Sequence, residues 1–211
     1  TLSRVAPLAT VRSLPARRQI MGTELPGEVV YILLRGLVKV TGEQADGSIV
    51  LRAVLGPGQL IGEIAVLDRL ARTATVQTME PCELICFGRE AFEQCLLLDA
   101  RIPLQLSRLL AQRLRQAIDR FHSLATEDAR TRVARLLLQY AEELLRSEPT
   151  LLALPLSQEE LASMVGISRG HFSKLMQDFR REQILGTGRP GEVVINSMAQ
   201  LRAIVSDSHS S

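Results

Sequence analysis

The sequence predicts an α+β chain made of three successive parts: an antiparallel β domain, one long helix, and a small helix-rich domain with a hairpin wing. Three observations predict it. Gly and Pro punctuate short β-rich runs through residues 1–100. From about Phe92 to Leu124 the apolar residues switch to helical spacing. Residues 157–181, SQEELASMVGISRGHFSKLMQDFRR, then carry the caps and turn glycine of two short packed helices. The boundaries follow as 1–100, 101–126 and 127–211.

In the first part, Gly27 precedes VVYILL, Gly36 precedes LVKV, and Asp46-Gly47 separates LVKV from SIVLRAVL, which is a hairpin signal. Many short strands with regular turn signals point to a sandwich or barrel. Cys82, Leu84 and Cys86 share one face of a predicted strand, where free Cys packs as a small hydrophobe. With Cys95 they make three cysteines, which gives no disulfide framework and a cytoplasmic expectation.

In the second part, Ser107, Leu110, Leu114, Ala117, Phe121 and Leu124 are spaced 3, 4, 3, 4, 3. That seam runs along one edge of a helix and must pack against something. A second copy of the helix, in a parallel coiled coil, is one solution; packing on the chain's own β domain is the other. Leu124 to Asp128 reads as a hinge, with Asp128 capping the next helix, Ala129 to about Arg146.

In the third part, Ser157 and Glu160 form a capping box. Gly166 supplies the tight turn, Ile167 plugs it, and Ser168 caps a second helix whose inner face is Phe172, Leu175 and Met176. This is a helix-turn-helix. Its second helix exposes Arg169, Gly170, His171 and Lys174 in a chain whose net charge is only +2. Arg169 and Lys174 suit guanine in the major groove, while Ser168 and His171 suit phosphates. Each charge taken alone also fits a solvated surface. The turn around Gly188 and Arg189 reads as a wing, and the tail DSHSS as disordered.

A further cluster lies at GQLIGEIAVLDRLARTATVQT, residues 58–78. Gly62 lets backbone approach a ligand, and the N–H groups of Glu63, Ile64 and Ala65 opening a short helix favour an anion. Arg72 offers a fork for phosphate, Thr73 a hydroxyl, and Glu63 an acceptor for a ribose hydroxyl.

On these residues the chain resembles the cyclic-AMP receptor protein and fumarate-nitrate regulator (Crp/Fnr) family of bacterial transcription regulators, over nearly its whole length. The resemblance implies an N-terminal β-roll (jelly roll), a dimerisation helix and a C-terminal winged helix-turn-helix. It implies a cyclic nucleotide, cAMP or cGMP, held by Gly62, Glu63, Ile64, Ala65, Arg72, Thr73, Arg113 and Ala117. It implies base reading at Arg169, Gly170 and Lys174. The implied partners are double-stranded promoter DNA, a second copy and RNA polymerase; no cofactor is implied.

The chain departs from the family in two places. A Thr-Ser pair that meets adenine in cAMP-binding members is replaced by Ala117 and Ile118, leaving Arg113, Arg115 and Gln116 as the nearby polar groups. Gly170 stands where many members carry a Glu that accepts from cytosine. The alternative is a regulator of the same fold that needs no effector, its pocket degenerate, with Glu63 and Arg72 as a structural ion pair.

Other classes are excluded. No His precedes residue 122, so a jelly-roll metalloenzyme or a haem sensor lacks ligands in the β domain. An iron–sulfur sensor needs four Cys. The longest apolar run, Val29 to Leu34, is far short of the ~20 residues that cross a bilayer. No signal peptide is seen in the N-terminal residues. The 46% hydrophobic and 23% charged composition argues against disorder.

Overall fold

The computed structural model describes residues 2–44, 47, 49–144, 150–153, 156–187 and 192–207. The chain divides into two compact units, residues 1–114 and 115–211.

The first unit opens with a helical turn, α1 (Leu2–Val5), and a 3-10 turn (Ala6–Leu8), which the sequence reading as strands and turns missed. Strands β1 (Thr10–Leu14), β2 (Gln19–Met21), β3 (Val29–Arg35), β4 (Val38–Glu43), β5 (Ile49–Leu55) and β6 (Leu60–Ile61) follow. After helix α2 (Glu63–Asp68) come β7 (Thr75–Thr78), β8 (Cys82–Gly88) and helix α3 (Arg89–Leu98). The strands form two four-stranded sheets, ordered β1-β8-β3-β6 and β2-β7-β4-β5, with every pairing antiparallel.

Strand alternation builds the core. Leu33 of β3, Ile61 of β6 and Cys82, Leu84 and Cys86 of β8 are buried with Val38 and Val76 from the other sheet. The alternate residues Val30 and Phe87 turn to the other side, where Phe92 and Cys95 of α3 cover them. All three cysteines are buried and free, and burial pushes their thiols above the ordinary value. The β4–β5 hairpin pairs Val38 with Leu55 and Glu43 with Ile49. Asp46, the turn residue predicted beside Gly47, lies outside the described residues.

Helix α4 (Arg101–Thr126) is the predicted long helix. Its N-terminal part belongs to the first unit, where Leu106 packs on the cluster around Phe92. Its C-terminal part belongs to the second unit. There α5 (Ala129–Leu144), β9 (Thr150–Ala153), α6 (Gln158–Met164), α7 (Arg169–Arg181), β10 (Leu185–Gly186), β11 (Glu192–Ile195) and α8 (Met198–Asp207) follow. An antiparallel sheet ordered β10-β11-β9 backs the helix pair. Leu161, Ala162, Phe172, Leu175, Met176 and Phe179 are buried between these elements.

Neither β9 nor α8 is in the sequence reading. Short TLLA has no turn residue to announce it. Ser197, whose hydroxyl accepts from the Gln200 N–H at 3.2 Å, was the overlooked start signal of α8. The Ser147-Glu148-Pro149 break, the Gly188 and Arg189 wing turn and the last residues of the tail lie outside the described residues.

The hinge is tighter than predicted. The Glu127 N–H still bonds the Ser123 carbonyl at 3.0 Å, so the α4 ladder runs past Leu124. Asp128 then caps α5, its Oδ1 accepting from the Thr131 N–H at 2.7 Å. The break is a single helix–helix junction at Glu127–Asp128, because those two residues are already spent on closing one helix and opening the next.

Candidate functional site

In the first unit, Gly62 sits in the left-handed region at φ +84° and opens α2. A side chain there is doubly excluded, since a Cβ would lie 2.4 Å from Arg72 Nη1. Arg72 is buried beneath this turn. It donates from Nη1 to the Gly62 carbonyl and from Nη2 to the Val29 carbonyl, each at 2.7 Å. Its buried Nε has no hydrogen-bond partner among the described residues. Burial lowers the Arg72 pKa below its ordinary value, with Tyr31, Glu28 and Glu63 pulling it back up.

Glu63 is buried, and its partner is Arg113 of α4, Nη1 to Oε1 at 2.5 Å. Arg113 also donates from Nη2 to the Leu60 carbonyl at 2.6 Å. The Glu63–Arg72 ion pair of the effector-independent alternative is therefore not what forms. Arg72 is taken by the Gly62 and Val29 carbonyls, and Glu63 by a guanidinium that a distant helix delivers.

Gly62, Glu63, Ile64, Ala65, Arg72, Thr73 and Arg113 together line a cavity of about 110 Å³, closed on its other side by apolar residues such as Met21, Val40 and Leu55. Thr73 is exposed, and Ile64 is half-exposed beside buried Ala65. Ala117, placed in this set by the sequence, belongs to the second unit and is not part of that lining.

In the second unit, the capping box is complete. The Ser157 hydroxyl accepts from the Glu160 N–H, and the Glu160 carboxylate accepts from the Ser157 N–H at 2.8 Å. Gly166 turns the chain at φ +67°, and Ile167 donates its N–H to the Ala162 carbonyl at 3.1 Å. Ser168 caps α7 by accepting from the His171 N–H at 3.3 Å. Its hydroxyl is thus committed to the helix, although a lone pair stays available.

The inner face of α7 is buried, while Arg169, Gly170, His171, Lys174, Gln177 and Arg181 are exposed. A Cβ added at Gly170 would meet nothing within 4 Å. Gln177 and Arg181 continue the face one and two turns beyond Lys174; the sequence marks Arg181 as part of a basic face but not Gln177, which helical spacing alone could have found.

Along α4, Leu114 is 63% and Phe121 76% exposed, and Ser107, Ala117 and Leu124 are exposed as well. Only Leu110 of the predicted seam is half-buried. Among the described residues no group of His, Cys, Asp and Glu could hold a metal ion, and no helix is long and apolar enough to cross a membrane.

Comparison with known proteins assigns a domain family to each part of the chain. The family model of the cyclic nucleotide-binding domain matches residues 11–99, and that of the Crp-like helix-turn-helix domain matches residues 131–204. The chain is 35% identical to the cyclic AMP receptor protein of Thermus thermophilus, over 84% of this chain and 80% of that one. It is 33% identical to a CRP-like cAMP-activated global transcriptional regulator of Mycobacterium tuberculosis, over 73% of this chain and 70% of the relative. In fold it is similar to FixK2 of Bradyrhizobium japonicum, with a TM-score of 0.80 at 23% identity, covering 93% of this chain and 96% of that one.

Proposed function

The chain belongs to the Crp/Fnr family of bacterial transcription regulators, with a cyclic nucleotide-binding domain and a Crp-like helix-turn-helix, and we propose that it is a homodimer whose DNA binding is gated by a cyclic nucleotide. As in its relatives, its business is regulation of transcription and not catalysis.

The observation that carries the gated reading is Arg72. It lines the cassette cavity, buried, with an Nε–H donor that the fold does not spend. A buried unsatisfied donor is costly, and a phosphate oxygen would satisfy it with a charge-assisted bond. The first-turn N–H groups of Ile64 and Ala65 add donors, and exposed Thr73 adds a hydroxyl at the rim. Glu63 can take the ribose hydroxyl once Arg113 yields part of its hold. The exposed Leu114 and Phe121 support the seam as the surface that a second α4 covers. The nucleotide then acts by shifting populations toward the arrangement in which two α7 helices enter successive major grooves, about 34 Å apart. Arg169 and Lys174 read base edges there, with His171 on the backbone.

Two observations favour the effector-independent reading. The cavity, at about 110 Å³, is smaller than the roughly 300 Å³ at which ligand pockets begin, and Arg113 already satisfies Glu63. Ligand entry must move Arg113.

Calorimetric titration of the full chain with cAMP and, in parallel, cGMP decides between them. The gated reading expects saturable binding of at least one, weakened about tenfold in Thr73→Val, which removes one exposed donor. No heat at high micromolar nucleotide, with DNA binding intact in its absence, sinks gating. A contact with RNA polymerase, the further partner proposed, is tested by transcription from a promoter carrying the selected DNA site.

A further inference from the structure

Two arginines of α5 bridge the junction between α4 and the helix-turn-helix. Arg132 donates from Nη1 to the Glu127 carbonyl at 2.5 Å and from Nε to the Val165 carbonyl at 2.9 Å. Those are the carbonyl just past the end of α4 and the C-cap carbonyl of α6, two places where a helix leaves acceptors unmet and its dipole favours a cation. Arg135 ion-pairs with the Glu127 carboxylate, which also accepts from the Ser123 hydroxyl at 2.5 Å. The Glu127 side chain is only 6% exposed, against 39% for Arg135, so the clamp is buried on its carboxylate side.

The turn itself abuts α4. A Cβ on Gly166 would lie 3.0 Å from Leu124 Cδ2, so a residue of the seam touches the turn that launches α7. At the far end of α7, Arg130 holds Glu182 through two bonds of 2.9 and 2.5 Å and lies 4.7 Å over the Phe179 ring. From Ser123 onward, the end of α4, α5 and the helix-turn-helix are thus fastened into one body, and the junction at Glu127–Asp128 has no slack residue.

We propose that Arg132 is the positioning residue that carries the direction of the last turns of α4 to the recognition helix α7. It holds Glu127 and Val165 at once, so it sets the spacing between paired DNA half-sites and leaves base preference within a half-site alone. The proposal rests on the dimeric DNA-binding reading.

The test is binding of the full chain to duplexes carrying two selected half-sites, with the spacer lengthened or shortened by one and two base pairs. Single half-sites and base-substituted half-sites run in parallel. The wild type is expected to prefer one spacing. Arg132→Ala is expected to lose about tenfold of that discrimination, the worth of a charge-assisted bond, with half-site base preference unchanged. Arg132→Lys, which keeps the charge but not the fork, is expected to fall between. Lys174→Ala, by contrast, weakens binding at every spacing alike. Should Arg132→Ala fail to fold by thermal melting, Arg132→Gln carries the same expectation. Folded variants that keep the wild-type spacing preference, or that change base preference instead, overturn the proposal. A wild type that binds one half-site as tightly as two fails at the dimeric reading itself and takes the proposal with it.

Discussion

The cassette of the first unit and the recognition helix of the second are both arginine-bearing, yet they use the residue in opposite ways. Arg72 and Arg113 are turned inward and give their donors to Gly62, Val29, Leu60 and Glu63 of their own chain. Arg169 stands exposed on α7, as does Arg181 in a surface pair with Asp178, above a packed apolar underside. A buried guanidinium gives most of its donors to the fold, as Arg72 does with all but its Nε–H, so it is architecture first and a ligand contact second. An exposed one costs the fold nothing and remains available to DNA.

That contrast can be broken at five points. The largest effect is expected beneath the recognition helix. Phe172 is fully buried, and Phe172→Ala should cost about 4 kcal/mol, measured by urea unfolding. Next comes Arg113→Ala, which strands the Glu63 carboxylate in the interior. A loss of about 3 kcal/mol is expected, at the low end for a broken buried pair because Arg113 is 27% exposed against 2% for Glu63. Replacing Glu63 and Arg113 together by Leu should recover most of it. If Arg113→Ala unfolds at the wild-type urea midpoint, the cassette charges are not architecture and the comparison fails.

The exposed Arg169 at the top of α7 should respond in DNA affinity alone. Arg169→Ala is expected to weaken specific binding by about 2 kcal/mol, with an unchanged melting temperature and relaxed preference at one base pair. Gly170→Ala is expected to raise stability by about 0.5–1 kcal/mol, because the glycine is helical, unhindered and unneeded by the fold. A selection that shows altered base preference for this more stable variant would mean that the groove, not the protein, requires glycine.

The smallest effect is a pH dependence. The Thr131 N–H bond to Asp128 holds its carboxyl below the ordinary value. The folded pKa lies under the unfolded one, about 3.9, so the cap stabilises fully above that pH and is lost as pH falls through the folded value. Asp128→Asn should flatten this part of the acid unfolding profile, and identical acid midpoints for the two proteins would remove Asp128 from it.

Much of this was legible beforehand where the signal is local. Ser157 with Glu160, Gly166 and Ser168 announce helix caps and a turn whose geometry depends on a few neighbouring residues. Alternating Cys82, Leu84 and Cys86 announce an inward strand face. The cassette residues were identified as a set, but not their bonds. Arg113 was expected near a nucleotide base, whereas it closes on Glu63, fifty positions away in sequence. Arg132 and Arg135 drew no attention, since an arginine on a helix reads as solvated until its neighbours are known.

The sequence by itself determined the order of β domain, long helix and helix-turn-helix, the caps that bound the helices, and the side of α7 that faces out. Periodicity and capping are properties of adjacent residues, so one dimension suffices for them. Tertiary structure alone decided which carboxylate each arginine meets, that the predicted hinge at Leu124–Asp128 is a clamped junction, and that Arg72 keeps one donor unspent. Those outcomes depend on which distant atoms share a low-dielectric interior, where an ionic or hydrogen-bonding group must be paired, and no local pattern specifies the pairing.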